Sequence, residues 1–333
     1  MSVVKNIYKK YFFKLTWVQL VHAIFFSPGF RREIISVFSG IIRHREGAGL
    51  LFKLRRNIHR LEKGLIMEPR RSIFALDYIK ETVDIYKIIN THKCCDRNEL
   101  KWFNNVLEEY FSVTGEHAII KQCELFFLSS KFDEEDNIPK SIPKMRQEYE
   151  RAKISYDEFH ALCCQRRSVR WYEGKKVPRM LIDKAIVAAS QSPSACNRQP
   201  FKFYIFDDPE LVSEVSNIPG GTVGFTHQFP VIIVVVGDLS AYEYDRDRHL
   251  IYIDGSLAAM TFMLALETLG LSSCPINWSG VEKLEIQMDR ALQLKSHEKP
   301  VMLISVGYAK ERSKIPYSHK KSLNSLRTFN LHD

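Results

Sequence analysis

Apolar side chains recur at helical spacing through the first 130 residues of the chain. Ile79, Val83 and Tyr86 follow one another at intervals of four and three within residues 72–93, and the same spacing recurs within residues 96–112. Such intervals place apolar side chains on one face of a helix. The chain up to about residue 130 is therefore predicted to be helical.

Local signals mark where these helices begin and end. Asp96 with Glu99 three residues on has the pattern of a capping box, which predicts a helix start. Gly64 is predicted to end the helix that contains the residues immediately before this glycine. His59 and Glu62 share a helix face at their spacing of three, and we expect a surface ion pair there rather than a catalytic pair.

A segment rich in acids and prolines interrupts the helical pattern. Residues 131–153 contain four consecutive acids, Pro139 and Pro143, and few apolar side chains, which is typical of a linker. The chain is accordingly divided into a helical region at 1–150 and a second domain at 154–333.

Strands and helices alternate after the linker. The β-rich runs lie at 201–206, 231–236 and 301–306. A helix is predicted over 178–190, with Pro178 in its first turn, and another over 254–269, with Asp254 as its N-cap and Gly270 at its end.

The helix predicted over 254–269 has no polar face. From Leu257 to Leu271, eleven of fifteen residues are apolar. A helix that is apolar all round must be covered on every side. We therefore expect it at the centre of the fold or at a subunit interface.

Positive charge is concentrated in residues 1–60. This segment holds twelve Lys and Arg against two acids, whereas the whole chain of 333 residues has a net charge of +9, so the remainder is close to neutral. The basic residues alternate with aromatic ones, which suits a helix on an anionic membrane surface. A helix that packs its aromatics on its own protein remains open, and no nucleic-acid partner is expected because no known binding motif accompanies the charge.

Other sequence features narrow the class of protein. The apolar run Leu15–Phe30 has 16 residues, too few for a membrane-spanning helix, and no cleavage pattern for a secretory signal follows it. The seven cysteines are an odd number without a CxxC pair, so neither a disulfide framework nor a zinc site is expected. We expect a cytoplasmic protein, with the inner face of the membrane as the alternative.

Three segments in the second half carry candidate chemistry. Arg166–Tyr172 places three arginines and a serine in a short span, which is either an anion-binding patch or a solvated basic turn. Residues 192–201 combine small side chains with two amides, and residues 269–278 follow the apolar helix. Taken singly, each segment is weak evidence for a ligand site.

Together and in this order, the segments resemble the nitroreductase family of FMN-dependent oxidoreductases. The matching stretches are RRSVRWY, SPSACNRQPFKFYIF about 25 residues later, the apolar helix ending in GLSS, and VMLISVGYAK. The resemblance covers residues 155–327 and implies an α+β fold, with an antiparallel sheet flanked by helices. The preceding half, with its segment HRLEKGL, resembles extensions of longer nitroreductase-like proteins linked to polysaccharide loci.

The resemblance assigns cofactor-binding roles to four groups of residues. Arg166, Arg167, Ser168 and Arg170 match the motif that holds the FMN phosphate, the ribityl chain and the pyrimidine edge. Pro193, Ser194, Ala195, Asn197 and Gln199 match the loop that lines the isoalloxazine, often across a dimer interface. Pro275, Ile276 and Asn277 match the stretch whose backbone faces flavin N5, and Lys320 and Lys321 match basic residues on the phosphate.

Departures from the family pattern affect the pyrimidine and substrate sides of the site. Asn277 and Trp278 stand where an acidic residue and glycine are common, so Trp278 is expected over the flavin face. Asn217 and Thr222 are the candidates for a polar pyrimidine contact. Cys196 and Cys274 are interpreted as small packing residues.

The resemblance implies a homodimer that moves hydride from NAD(P)H through FMN to a small-molecule acceptor. Nitro, quinone and enone compounds are the expected acceptor types, and no side chain need act as nucleophile or base. Two alternatives stay open. One is specialised flavin chemistry of the dehalogenase or azoline-oxidase type, and the other is a non-catalytic scaffold held at a membrane through residues 1–60.

Overall fold

The computed structural model describes residue 21 and residues 27–131 and 139–330. The aromatic and basic segment up to residue 26 therefore lies almost entirely outside the described residues, as do residues 132–138 of the predicted linker. The α-helices are α1 Pro28–Arg43, α2 Leu50–Leu65, α3 Ile79–His92, α4 Arg97–Val113, α5 Ala118–Leu128, α6 Tyr156–Gln165, α7 Arg179–Ala189, α8 Pro209–Ser216, α9 Leu250–Thr268 and α10 Glu282–Leu292. The strands are β1 Phe201–Phe206, β2 Val231–Asp238, β3 Ser272–Asn277 and β4 Glu298–Gly307.

Helices α2 to α5 form a bundle with its own apolar core. Leu54, Ile58 and Leu61 of α2 are fully buried against side chains of the other three helices, including Tyr86 and Phe103. These positions follow the helical spacing of the sequence, so the predicted helical half is confirmed for the residues described. Between Leu128 and α6, the described residues form no helix or strand except the turn Arg146–Glu148.

Two of the predicted helix signals act differently in the structure. Asp96 does cap α4, because its carboxylate accepts from the backbone of Asn98 and Glu99, but the Glu99 side chain pairs with Arg55. Gly64 does not end α2, which continues to Leu65. A Cβ on Gly64 would collide with the ring of Phe74, so this glycine permits close packing.

Helix α1 packs on the second domain rather than on the bundle. A Cβ on Gly40 would come within 2.7 Å of the Leu239 backbone, so the two backbones are in direct contact. Arg32 lies 2.5 Å from Glu285 and also pairs with Asp289, and Lys299 donates to Glu285 at 2.6 Å. Glu285 and Lys299 are buried, which makes this a buried charge network between α1, α10 and β4.

The second domain is built on a four-stranded antiparallel sheet with the order β1-β2-β4-β3. Strand β2 is central and buried from Val231 to Gly237, as expected for a strand with helices on both faces. All three predicted strands are confirmed, two of them longer than predicted. The α+β class is confirmed as well.

Strand β3 was not predicted, because its sequence lacks the usual strand signals. Ser272–Asn277 contains two serines and Pro275, and proline removes a backbone donor from a sheet. The strand lies at the edge of the four-stranded sheet, where β4 is its neighbouring strand, and an edge strand tolerates proline.

Helix α9 begins earlier than predicted and is only partly covered. It starts at Leu250, so Asp254 is not an N-cap but a buried residue inside the helix. Ile253, Leu257 and Met260 lie on one face and are 52%, 43% and 39% exposed. The single chain therefore leaves this face uncovered, and the other expected location, a subunit interface, stays a prediction. By length and composition, the stretch Asp245–Thr268 would suffice to cross a membrane, a test that core helices of soluble proteins also meet.

Candidate functional site

A cleft of about 500 Å³ opens beside the edge strand β3. Its volume is in the range of small-molecule sites. Its lining comes from Arg170, from Gly220, Gly221, Thr222, Phe225 and Phe229 after α8, and from Cys274, Pro275, Ile276, Asn277, Ser279, Val281 and Leu284 around the end of β3. Of the first predicted motif, Arg170 lines the cleft together with Pro275, Ile276 and Asn277, whereas Arg166, Arg167 and Ser168 are not among the lining residues.

Backbone pairing fixes the arginine segment against the sheet. Ser168 forms a parallel bridge with Ser273, and the Val169 N–H donates to the Ser273 carbonyl at 3.0 Å. The buried hydroxyl of Tyr172 lies 2.8 Å from the Val169 carbonyl and 3.1 Å from the Ser305 carbonyl. Burial raises the pKa of Tyr172, so this hydroxyl keeps its proton as a donor. Segment 166–172, called the wall below, is therefore fixed against β3, and it contributes Arg170 to the lining of the cleft.

The cleft presents positive charge. Among the lining residues in the described part of the chain, Arg170 carries the only charge. Its guanidinium lies 5.8 Å from the centre of the Phe225 ring, and its Nη1 is 3.4 Å from the Ser168 carbonyl. Arg166 Nε is buried and has no hydrogen-bond partner within the described structure. A buried donor without a partner costs free energy.

Burial shifts the pKa of two ionisable groups near the arginine segment. It raises the pKa of Glu267, against the nearby charge of Arg166, and it also raises the pKa of the Cys274 thiol, which lines the cleft. Cys274 is buried and free, in agreement with its interpretation as a packing residue. Both shifts favour the uncharged forms of these groups.

The loop that contains Ser194, Ala195, Asn197 and Gln199 lies elsewhere in the single chain. None of its residues lines the cleft. Cys196, Asn197 and Gln199 adopt left-handed backbone conformations, with φ of 54°, 51° and 51°. For residues other than glycine this conformation costs roughly 1–2 kcal/mol each, so other contacts must hold the loop in place.

Those contacts come from within the loop and from α9. The Gln199 N–H donates to Ser194 Oγ at 3.0 Å, and the Ala195 N–H donates to the Asp254 carboxylate at 3.0 Å. Asp254 also lies 3.4 Å from the Tyr242 hydroxyl, and burial raises the pKa of Asp254. Asp254 is thus a buried acceptor for the loop backbone, a role that its sequence context did not reveal.

Several other predicted residues also lie away from the cleft. Lys320 and Lys321 are exposed in the segment after β4 and do not line it, and Pro193 is exposed next to the loop. Thr222 does line it, but its hydroxyl is within 2.8 Å of the carbonyls of Ser216 and Pro219.

The remaining polar candidates serve local structure. Asn217 donates to the Ser213 carbonyl at 2.8 Å and accepts from Thr226. The Trp278 ring packs against the apolar cluster that includes Phe229 and Ile276, and it does not line the cleft, so its place over a flavin face stays a prediction.

A model of the nitroreductase family matches residues 164–223 and 212–308. A protein of Methanothermobacter thermautotrophicus named "Putative NADH dehydrogenase/NAD(P)H nitroreductase" is 31% identical over 150 residues, which cover 44% of this chain and 74% of that protein. The chain belongs to the nitroreductase family. It is therefore an oxidoreductase by family, and the matched region contains the arginine segment, the loop, the sheet and the cleft.

More distant relatives in the family carry another name. Iodotyrosine deiodinase 1 of Rattus norvegicus is 24% identical over 200 residues, covering 51% of this chain and 68% of that protein. A solved FMN-dependent nitroreductase of Clostridium difficile R20291 is 26% identical, with a TM-score of 0.44, over 51% of this chain and 97% of that chain. Helices α1 to α5 lie outside the region matched by the family model.

Some residues at the site were not identified from the sequence. Phe225 and Phe229 line the cleft, and their only signal was their position after the Gly220-Gly221 turn. Arg55 of α2 donates from Nε to the Asn197 carbonyl at 2.8 Å across 142 positions of sequence. No local pattern predicts such a contact, because it depends on how the bundle packs on the domain.

Proposed function

We propose that this protein is an FMN-dependent oxidoreductase that takes electrons from NAD(P)H and passes them to a small oxidised compound. The observation that carries the proposal is a cleft in which Arg170 is the one charged lining residue among those that the structure describes, while Arg166 of the same segment has a buried donor without a partner. This donor set fits a ligand with a phosphate and a ring that becomes anionic when reduced.

The residues of the wall divide the work of holding such a ligand. Arg166, Arg167 and Ser168 supply charged and hydroxyl donors for the phosphate and ribityl chain. Arg170 supplies a fixed positive charge for the pyrimidine side, where it stabilises negative charge that develops during reduction. When bound, FMN supplies the two-electron chemistry, and the protein binds, orients and excludes water.

A second copy of the chain would complete the site. The exposed apolar face of α9, formed by Ile253, Leu257 and Met260, lies next to the loop, since Ser192 hydrogen-bonds to Thr261 of the same helix at 2.8 Å. Burial of this face between two copies would remove apolar area from water. It would also bring each loop to its partner, so the loop and Lys320 and Lys321 can serve the cleft of the other chain.

Purified protein tests the proposal directly. We expect it to carry or to take up FMN with the visible absorbance of a bound flavin, and to lose that absorbance under anaerobic conditions when NADH or NADPH is added. A screen of nitro, quinone and enone compounds should then restore it. A protein that is incubated with excess FMN and retains no flavin after the free FMN is removed would contradict the proposal. That result would support the non-catalytic scaffold instead.

Reductive dehalogenation is the second candidate, supported by the match to iodotyrosine deiodinase 1. In this reaction two electrons and one proton replace a carbon–iodine bond with a carbon–hydrogen bond and release iodide, with NAD(P)H as the reductant class. Iodide release from iodotyrosine, measured beside nitro and quinone reduction on the same reduced protein, separates the two candidates.

A further inference from the structure

The loop of residues 194–199, called the flavin loop below, is in contact with the N-terminal bundle. Arg55 of α2 donates from Nε to the Asn197 carbonyl at 2.8 Å. Asn197 is one of the residues in a left-handed conformation. The contact therefore falls on a strained part of the loop backbone, where an external constraint has most effect.

Arg55 is itself held in a fixed orientation by α4. Its Nη1 pairs with the Glu99 carboxylate, and both side chains are largely buried, at 14% and 13% exposure. Its guanidinium carbon lies 5.2 Å from the centre of the Trp102 ring. A guanidinium held by a carboxylate and an aromatic ring keeps little rotational freedom, so its Nε–H points reliably at the loop.

The HRLEKGL segment supports this arrangement from behind. Trp102 Nε1 donates to Glu62 at 2.8 Å, and the other oxygen of Glu62 lies 3.2 Å from His59 Nδ1. The predicted pair of His59 and Glu62 is present, and it fixes the ring on which Arg55 rests. The same segment therefore has a structural link to the flavin loop.

We infer that Arg55 is a positioning residue, through which the N-terminal bundle sets the conformation of the flavin loop. The bundle then influences cofactor binding through the loop, although none of its described residues lines the cleft. The inference rests on the proposed function only in its last step, from loop conformation to flavin binding.

Hydrogen exchange on the flavin-free full-length protein tests the first step. The backbone N–H groups of Ala195, Asn197, Arg198 and Gln199 all donate hydrogen bonds. Arg55→Gln is expected to speed their exchange by about tenfold, since it removes one charge-assisted hydrogen bond from the loop. Arg60→Gln is the matched control on the same helix, because Arg60 pairs with Asp77 and contacts Tyr78 away from the loop.

Two further variants separate position from charge and from folding. Arg55→Lys keeps the charge beside Glu99 but lacks the planar fork that reaches two acceptors, so loop exchange should stay fast. Glu99→Gln keeps Arg55 and removes its anchor, and it should speed loop exchange by a smaller factor even if Arg55→Gln does not fold. Equal loop exchange in Arg60→Gln and in these variants would overturn the inference.

Titration with FMN tests the last step. Kd should rise by roughly fivefold to tenfold in Arg55→Gln and stay unchanged in Arg60→Gln. Faster loop exchange with an unchanged Kd would overturn the link between bundle and flavin. A wild-type chain that binds no FMN would refute the proposed function, while the exchange data would still decide whether Arg55 holds the loop.

Discussion

The two candidate parts of the site are fixed by different kinds of contact. Residues 166–172 are joined by backbone hydrogen bonds to Ser273 of β3 and to Lys310 just beyond β4, and Tyr172 adds a buried hydroxyl. The flavin loop, by contrast, has backbone hydrogen bonds within itself, but it is joined to α9 and α2 through the side chains of Asp254 and Arg55. Backbone bonds survive most substitutions, whereas a loop held by side chains depends on each of them.

The difference explains where mutations should act. Substitutions in the wall are expected to change the affinity for a ligand more than the position of the wall backbone. Substitutions behind the loop should change its conformation from outside the cleft. The predictions that follow test this contrast.

The largest effect on stability is expected for Asp254→Ala. It leaves the part-buried N–H of Ala195 and the buried hydroxyl of Tyr242 without their acceptor. Leaving buried donors unpaired should lower the free energy of unfolding by about 2–3 kcal/mol. Urea denaturation measures this change, and Asp254→Asn, which retains an acceptor oxygen, should recover most of it. A loss below about 0.5 kcal/mol would mean that the loop has other support.

On the wall side, Arg166→Ala should weaken FMN binding by about tenfold or more. The reason is the loss of a charge-assisted contact of about 1.5–3 kcal/mol. Equilibrium titration measures Kd, and Arg151→Ala, at an exposed site, is the control. Unchanged flavin retention in Arg166→Ala would argue against a phosphate at this end of the wall.

A smaller effect is expected for Tyr172→Phe. The variant loses the hydroxyl that reaches the carbonyls of Val169 and Ser305, but the backbone bond from Val169 to Ser273 remains. We expect stability to fall by about 1 kcal/mol and the Kd for FMN to change by less than about twofold. A large rise in Kd would show that the wall, too, depends on side chains.

The pH dependence of stability gives a finer test of the loop. Burial raises the pKa of Asp254, so the folded protein keeps a proton that the unfolded chain releases above its ordinary value of about 4. The free energy of unfolding should therefore fall as the pH rises from about 4 through the raised pKa. Asp254→Asn should lack this part of the pH dependence, and identical profiles for both proteins would contradict the assignment.

The smallest effect on the site is expected from deletion of residues 1–26. Arg32, Arg43, Lys53, Arg55 and Arg60 already pair with acids in the structure, so a membrane contact would depend mainly on the preceding residues. The deletion keeps α1 and should leave flavin content unchanged, while sedimentation with anionic vesicles at low salt decreases. A full-length chain that never sediments with such vesicles would exclude the membrane hypothesis.

Much of the fold follows from local sequence pattern. The apolar spacing of the bundle helices and the β-rich runs at 201–206 and 231–236 could be predicted, because each buries a regular set of side chains. Strand β3 could not, since Pro275 and its serines are tolerated only at a sheet edge. The start of α9 was missed because Asp254 looks like a cap until its burial is known.

The cleft and the flavin loop differ in the same way. The arginine segment could be predicted because its chemistry is concentrated in a few consecutive residues. The role of Arg55 could not be, because it depends on a contact across 142 positions and on a carboxylate and a ring from α4. The local sequence pattern identifies charged groups, whereas the packing of distant elements determines which residues those groups contact.

The ion pair between Arg32 and Asp289 has a consequence for how the chain is made. The two residues are 257 positions apart, so α1 leaves the ribosome long before its partners on α10 and β4 exist. At about 5–20 residues per second, translation takes roughly ten to fifty seconds to supply them. During that interval the nascent chain has Arg32 without its acidic partners and the apolar face of α1 without the residues that cover it.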